Sequence, residues 1–201
     1  MIVTVIDYGA GNVTSVERAL RKLGAKVRST NRPEDIRSAS ALILPGVGHC
    51  AALIAALDAQ NLRQPLLEKL STGAPFLGIC LGLQALYESS DEAPGLMGLG
   101  LLKGRVSKLP LNVKLPHMGW NQLHLIKPST LLENISSESY FYFAHSYAAP
   151  AAGPERTALS MHGREFIAVI EQQNIFGVQF HPEKSGAPGA QLLQNFLRRA
   201  A

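Results

Sequence analysis

The chain has 201 residues, 46% hydrophobic and 17% charged, with 19 Lys plus Arg against 15 Asp plus Glu for a formal net charge of +4. That is enough apolar material for one packed domain over 1–201, which excludes disorder, and no apolar run approaches the ~20 residues a bilayer needs. Two cysteines, Cys50 and Cys80, are no disulfide framework and point to a reducing cytoplasm, and the opening Met1-Ile2-Val3-Thr4-Val5-Ile6-Asp7 lacks the basic flank of a signal peptide.

Residues 2–6 form a short branched apolar run that ends in Asp7-Tyr8-Gly9-Ala10-Gly11-Asn12, a turn-rich loop. Val13, Val16, Leu20 and Leu23 then recur at helical spacing, with Gly24 placed to end the helix. Strands are expected at 27–30, 41–44 and 75–79, with helices near 50–60, at 64–71 and after residue 80. Short apolar strands alternating with helices imply parallel βαβ units in an open sheet. Past residue 100 the rhythm changes. Runs at 101–109, 121–126, 140–147, 157–161, 166–170 and 175–180 read as strands joined by turns, and 191–199 as a closing helix. The expected fold is α/β: an open, mostly parallel sheet with flanking helices and a β-rich, antiparallel or mixed C-terminal portion.

The basic residues of the first third (Arg18, Arg21, Lys22, Lys26, Arg28, Arg32, Arg37) are interleaved with Glu17, Glu34 and Asp35, and no aromatic residue punctuates them. They read as a solvated surface, not a nucleic-acid groove. The loop Gly9-Ala10-Gly11-Asn12 is no dinucleotide fingerprint, because Thr14 stands where the third glycine belongs and no acidic residue ends the second strand.

Gly78-Ile79-Cys80-Leu81-Gly82 follows a strand and precedes a helix, which makes it a nucleophile elbow with Cys in the serine position. A lone intracellular cysteine is by default a small buried hydrophobe, and Cys50 keeps that reading. For Cys80 the strand–elbow–helix context favours an activated thiolate, with the Leu81 N–H available to an oxyanion. A cysteine nucleophile needs a base and a group to orient it. Of six histidines (His49, His117, His124, His145, His162, His181), His181 alone has a carboxylate at fixed short spacing, in His181-Pro182-Glu183. Pro182 holds His181 extended, and continued extension puts residues 181 and 183 on one side. Alone, His-Pro-Glu is equally a surface turn; with the elbow upstream it completes a Cys80–His181–Glu183 triad.

Together, Gly78-Ile79-Cys80-Leu81-Gly82-Leu83-Gln84 and Gly177-Val178-Gln179-Phe180-His181-Pro182-Glu183 resemble the class I, triad-type glutamine amidotransferases. Asp7-Tyr8-Gly9-Ala10-Gly11-Asn12, Pro45-Gly46-Val47-Gly48, Pro116-His117-Met118-Gly119-Trp120-Asn121, His145-Ser146-Tyr147 and His181-Pro182-Glu183-Lys184-Ser185 narrow the resemblance to glutaminase subunits of imidazole glycerol phosphate synthase, and it runs end to end. The resemblance implies hydrolysis of L-glutamine through a thioester on Cys80, with oxyanion donors from Leu81 and from Val47 or Gly48. It implies glutamine contacts at Gln84, Glu92, His145, Ser146 and Tyr147, His145 being a candidate second catalytic histidine and, by its bland reading, a structural one. It implies a heterodimer with a (β/α)8-barrel cyclase, met at Asn12, Trp120, Tyr140 and Lys184. No cofactor is implied, and no metal site is expected, because neither cysteine has a second ligand at metal spacing.

About 200 residues hold one glutaminase domain and leave no room for an ammonia acceptor, so the acceptor is expected on another chain. Three other readings stand beside this one: a glutaminase subunit serving another synthase, a non-catalytic interaction subunit, and a free-standing cysteine hydrolase.

Overall fold

The computed structural model describes residues 2–10 and 12–200; Gly11 of the first loop lies outside them. The parallel half comprises β1 (Ile2–Ile6), α1 (Val13–Lys22), β2 (Lys26–Thr30), α2 (Pro33–Ser38), β3 (Ala41–Gly46), α3 (Cys50–Ala59), α4 (Arg63–Ser71), β4 (Phe76–Cys80) and α5 (Leu81–Gln84). The β-rich half adds β5 (Tyr87–Ser90), β6 (Leu102–Lys108), β7 (His117–Gln122), β8 (His124–Leu125), β9 (Tyr140–His145), β10 (Tyr147–Ala148), β11 (Arg156–His162), β12 (Arg164–Gln172) and β13 (Ile175–Val178). A 3-10 turn (Pro182–Lys184) and α6 (Gly186–Arg199) follow.

The main sheet has eight strands in the order β2-β1-β3-β4-β13-β12-β11-β8. The first five are parallel and the last three antiparallel, as the alternation of elements implied. A sheet covered on both faces needs strands apolar throughout, and β3 and β4 are buried along their whole length. Leu42, Leu44 and Phe76 pack on one side against Ile36, Leu53, Leu57 and Leu66 of α2, α3 and α4. Ala41, Ile43, Leu77 and Ile79 pack on the other against Val16 and Leu20 of α1 and Leu192 and Phe196 of α6.

Several elements differ from the sequence expectation, each for a physical reason. The helix after the elbow is a single turn. The carbonyls of Ala85 and Leu86 accept from Leu99, Leu101 and Leu102, and the chain leaves as β5, which pairs parallel with β6. The strand expected over 121–126 divides: β7 begins at His117, and β8 is a separate two-residue strand. α2 lies outside the expected helices, although Pro33 at its first turn with Glu34 and Asp35 behind it is a helix-start signal. Four of the seven basic residues of the first third form surface pairs: Arg21 with Glu17, Arg28 with Asp35, Arg32 with Glu34 and Arg37 with Glu68. Among the described residues no helix is long and apolar enough to cross a membrane.

The elbow rests on close approach. A Cβ on Gly82 would stand 1.9 Å from the Leu44 carbonyl oxygen, and one on Gly78 2.5 Å from the Gly82 oxygen. Gly82→Ala therefore costs about 3 kcal/mol or more through overpacking against backbone. Gly95→Ala, in open space but at φ +80°, costs only about 1 kcal/mol of backbone strain. Urea-denaturation midpoints of the two variants check the order.

Candidate active site

The site sits at the carboxyl ends of three neighbouring parallel strands, where open α/β sheets bind ligands. β4 ends in Cys80, at φ 54° and ψ −107°, a left-handed backbone rare for a side chain with a Cβ. The sharp turn is thus taken by Cys80 itself, and the flanking glycines supply room. β3 pairs Gly46 with Cys80 in register, which brings Val47 and Gly48 beside the sulfur. β13 ends just before Gln179, Phe180 and His181.

His181 and Glu183 do pair, though not through continued extension. His181 is extended (φ −104°, ψ 94°), then Pro182–Lys184 turns as a 3-10 helix and brings Glu183 Oε1 back to 3.0 Å from His181 Nδ1. Both side chains are buried. Burial alone would lower His181, but the Cys80 sulfur and the Glu183 carboxylate beside it push it up to about 10. These neighbours favour the charged ring, the counter-charge that a thiolate nucleophile needs.

Asn12 is the residue before α1, yet its side chain caps nothing there. Its Nδ2 donates instead to Glu183 Oε1 at 2.8 Å, 171 residues away. Ser185, given no role from sequence, clamps the same turn to β9. Its Oγ donates to the His181 carbonyl (2.7 Å) and accepts from the Tyr142 N–H (3.0 Å), while the His181 N–H donates to the Tyr142 carbonyl (2.9 Å).

A cavity of about 260 Å³ opens over Cys80, lined by Val47, Gly48, Leu81, Gln84, Glu92, His145, Ser146, Tyr147, His181 and Lys184 among others. All the residues expected to bind glutamine or the oxyanion are thus brought together. Gln84 Nε2 donates to the Tyr147 carbonyl (2.8 Å), and among the described residues nothing hydrogen-bonds its buried Oε1. Glu92 Oε2 accepts from the Cys50 N–H at 2.9 Å, so one carboxylate holds the start of α3 and lines the cavity.

His145 is committed elsewhere. Its Nδ1 lies 2.9 Å from the Tyr147 carbonyl, which only accepts, so Nδ1 carries the proton and Nε2 accepts from His117 Nδ1 at 3.1 Å. Burial pushes His145 down to about 3 and His117 to about 4. Both ring nitrogens of His145 are thus engaged by protein groups, although the ring also lines the cavity.

Asn12 is half-buried against Glu183, whereas Trp120 (56% exposed) and Tyr140 (51%) are open, beside Met118 (65%), a residue the sequence pattern does not single out. Trp120 meets the Tyr142 ring edge-on at 5.9 Å, and Lys184 Nζ stands 5.8 Å above the same ring. Cys50 is buried in the core, where burial raises its thiol. Among the described residues no His, Cys, Asp and Glu cluster is arranged to hold a metal.

The family model for glutamine amidotransferase class-I matches residues 4–200. A relative from Methanothermobacter thermautotrophicus, an imidazole glycerol phosphate synthase subunit HisH, is 47% identical over 196 residues and 98% of each chain. The protein of that name from Pyrococcus furiosus is 43% identical over 198 residues, again 98% of each. The one from Deinococcus radiodurans is 43% identical over 202 residues, 99% of this chain and 94% of its own. Among solved structures, a glutamine amidotransferase superposes with a TM-score of 0.79 at 20% identity, over 100% of this chain and 99% of its own. PurLQS from Thermotoga maritima gives 0.78 at 20% identity with the same coverage. At that identity these structures speak for the fold alone.

The charged ring and the neutral rings give opposite pH limbs. His181 holds, above about pH 6.5, a proton that the unfolded chain releases; its stabilisation is complete below about 6.5 and lost as pH rises through about 10. His117 and His145 resist protonation that the unfolded chain accepts, so stability falls as pH drops from about 6.5 toward 4. Urea melts across this range show both declines, and Glu183→Gln flattens the alkaline one.

Proposed function

This chain belongs to the class I glutamine amidotransferases, and from that premise we propose that it is the glutaminase subunit of an imidazole glycerol phosphate synthase, with Cys80, His181 and Glu183 as its triad. The observation that carries the triad is the His181–Glu183 pair set beside a cysteine at φ 54°. The identity of the synthase is supported by relatives of that name at 42–47% identity over nearly the whole chain.

The chemistry follows from the charges. The Cys80 thiolate attacks the side-chain amide carbon of glutamine, and the carbonyl electrons move to oxygen. That oxyanion is met by the Leu81 N–H and by an N–H of the Val47–Gly48 backbone. The cationic His181 gives its proton to the amide nitrogen as the C–N bond breaks, leaving ammonia and a γ-glutamyl thioester. Neutral His181 then takes a proton from water as its oxygen attacks the thioester. Collapse expels the thiolate, and glutamate leaves. Glu183 holds the ring orientation and stabilises its charge, and Asn12 holds Glu183. Gln84, Glu92, Ser146 and Tyr147 surround the amino-acid end of the substrate.

Ammonia released into water at neutral pH is protonated and no longer nucleophilic, so productive transfer needs a dry route to a second active site. The partner is a (β/α)8-barrel cyclase that uses the ammonia to form imidazole glycerol phosphate and aminoimidazole carboxamide ribotide. Its docking face is the exposed apolar side of β7 and β9, with Met118, Trp120 and Tyr140 grouped beside Lys184.

Cys80→Ala abolishes glutamate release, a loss of about four orders of magnitude or more, while Cys50→Ala changes turnover less than about threefold. A Cys80→Ala protein that still hydrolyses glutamine overturns the triad. Glutamate release by the chain alone is slow, and it rises when the cyclase and then the cyclase's nucleotide ligand are added. Lys184→Glu weakens that activation more than it shifts the thermal midpoint. Steady-state assays with and without the cyclase check both; full turnover by the isolated chain refutes the dependence on a partner.

A further inference from the structure

Gln179 lies in the segment between β13 and His181, and its side chain is wholly buried. The chain bends at 179–180, and the Gln179 and His181 side chains both reach Cys80. Gln179 Nε2 stands 3.6 Å from Cys80 Sγ, and Gln179 Oε1 accepts from Gln84 Nε2 at 2.9 Å.

The direction of this chain is fixed by its far end. Gln84 Nε2 also contacts the Tyr147 carbonyl at 2.8 Å, and a backbone carbonyl can only accept. The Gln84 atom at that position must therefore be nitrogen. Its second hydrogen goes to Gln179, whose facing atom must be oxygen. The atom left to face sulfur is then the Gln179 amide nitrogen, a donor. A flipped Gln179 would set nitrogen against nitrogen and oxygen against sulfur, so the Tyr147 carbonyl orients an amide two links away.

We propose that Gln179 is a further catalytic residue, whose amide N–H stabilises the negative charge on Cys80 Sγ, and that Gln84 is the positioning residue which holds it in the donating orientation. This rests on Cys80 being the nucleophile. A hydrogen bond from a neutral amide strengthens when its acceptor is ionised, and here the pair is shielded from water. The sulfur is neutral in the thioester and carries charge when it attacks and again when it leaves. The donor thus favours the thiolate as nucleophile in the first step and as leaving group in the second. The same chain ties the Tyr147 segment, which lines the substrate cavity, to the reacting sulfur by three hydrogen bonds in series.

The test uses Gln179→Met, which keeps the volume and removes the donor. The readout is the pH profile of Cys80 alkylation by iodoacetamide, followed by mass mapping of the Cys80 peptide, together with kcat and KM for glutamine. Gln179→Met moves the alkylation profile about one pH unit upward and lowers kcat about tenfold or more, with KM within about twofold. Gln84→Met, which frees Gln179 to turn over, moves the profile the same way by less. If Gln179→Met melts out, Gln179→Leu serves instead: it also removes the donor and adds no charge, so its profile also moves upward. A Gln179 variant that stays folded with an unmoved alkylation profile overturns the proposal, even if its thermal midpoint falls. Retained glutaminase activity in Cys80→Ala would instead sink the triad reading beneath it.

Discussion

The backbone of Cys80 is the constraint on which the rest of the site depends. A non-glycine residue at φ 54° costs about 1–3 kcal/mol and persists only where its surroundings leave no alternative. Here β4 is held between β3 and β13 in parallel register, and the turn that follows presses Gly82 onto the Leu44 carbonyl. Because the three strands run parallel, their carboxyl ends finish at one level. The loop after β3 and the segment after β13 therefore reach the sulfur without long excursions. The sheet supplies the strain, the neighbours and the pocket in one arrangement.

Electrostatics then drives three buried rings in opposite directions. Burial opposes charge on His181, His145 and His117 alike, yet one is raised to about 10 and the others lowered to about 3 and 4. The difference lies in what each ring faces. His181 has a sulfur and a buried carboxylate; His145 has a carbonyl and a second imidazole. Titratable groups driven apart by their surroundings mark the acid–base assignment, and the neutral pair marks scaffolding. The buried Glu183 carboxylate accepts from the Asn12 amide and faces the His181 ring, so its partners are all polar groups of the chain itself.

What the sequence made legible is what lies close along the chain. The elbow, the His-Pro-Glu spacing, the parallel βαβ rhythm and the buried Cys50 are all local patterns. The spacing of His181 and Glu183 predicts a pair on one side of an extended chain, and in the structure a turn, not a strand, brings them together. Contacts across the fold left no local trace. The resemblance places Asn12 at the partner face, and only tertiary structure shows its amide spent on Glu183. Gln84 and Gln179 are 95 residues apart, and Tyr147 lies 63 from Gln84, so no window joins them. The extent of α5 was invisible for the same reason, because distant amides from the 99–102 segment take the carbonyls that would have continued it.

The two-stranded β7–β9 sheet shows how one alternation serves two purposes. Pairing sets His117, Gly119 and Asn121 against His145, Phe143 and Phe141, and the large side chains of that face are buried. The opposite face carries Met118 and Trp120 with Tyr142 and Tyr140, and it is largely open. A single strand pair thus holds the neutral histidine scaffold under the cavity and presents an apolar surface outward. Tyr142 is where the two meet. Its ring packs with Trp120 and Lys184, its carbonyl accepts from the His181 N–H, and its own N–H donates to the Ser185 hydroxyl that holds the His181 carbonyl. Any load that shifts the Tyr142 backbone must therefore shift His181 or break a buried hydrogen bond. The outer surface and the His181 ring are two ends of one short, contiguous set of contacts, which is the physical requirement for events on the first to be felt at the second.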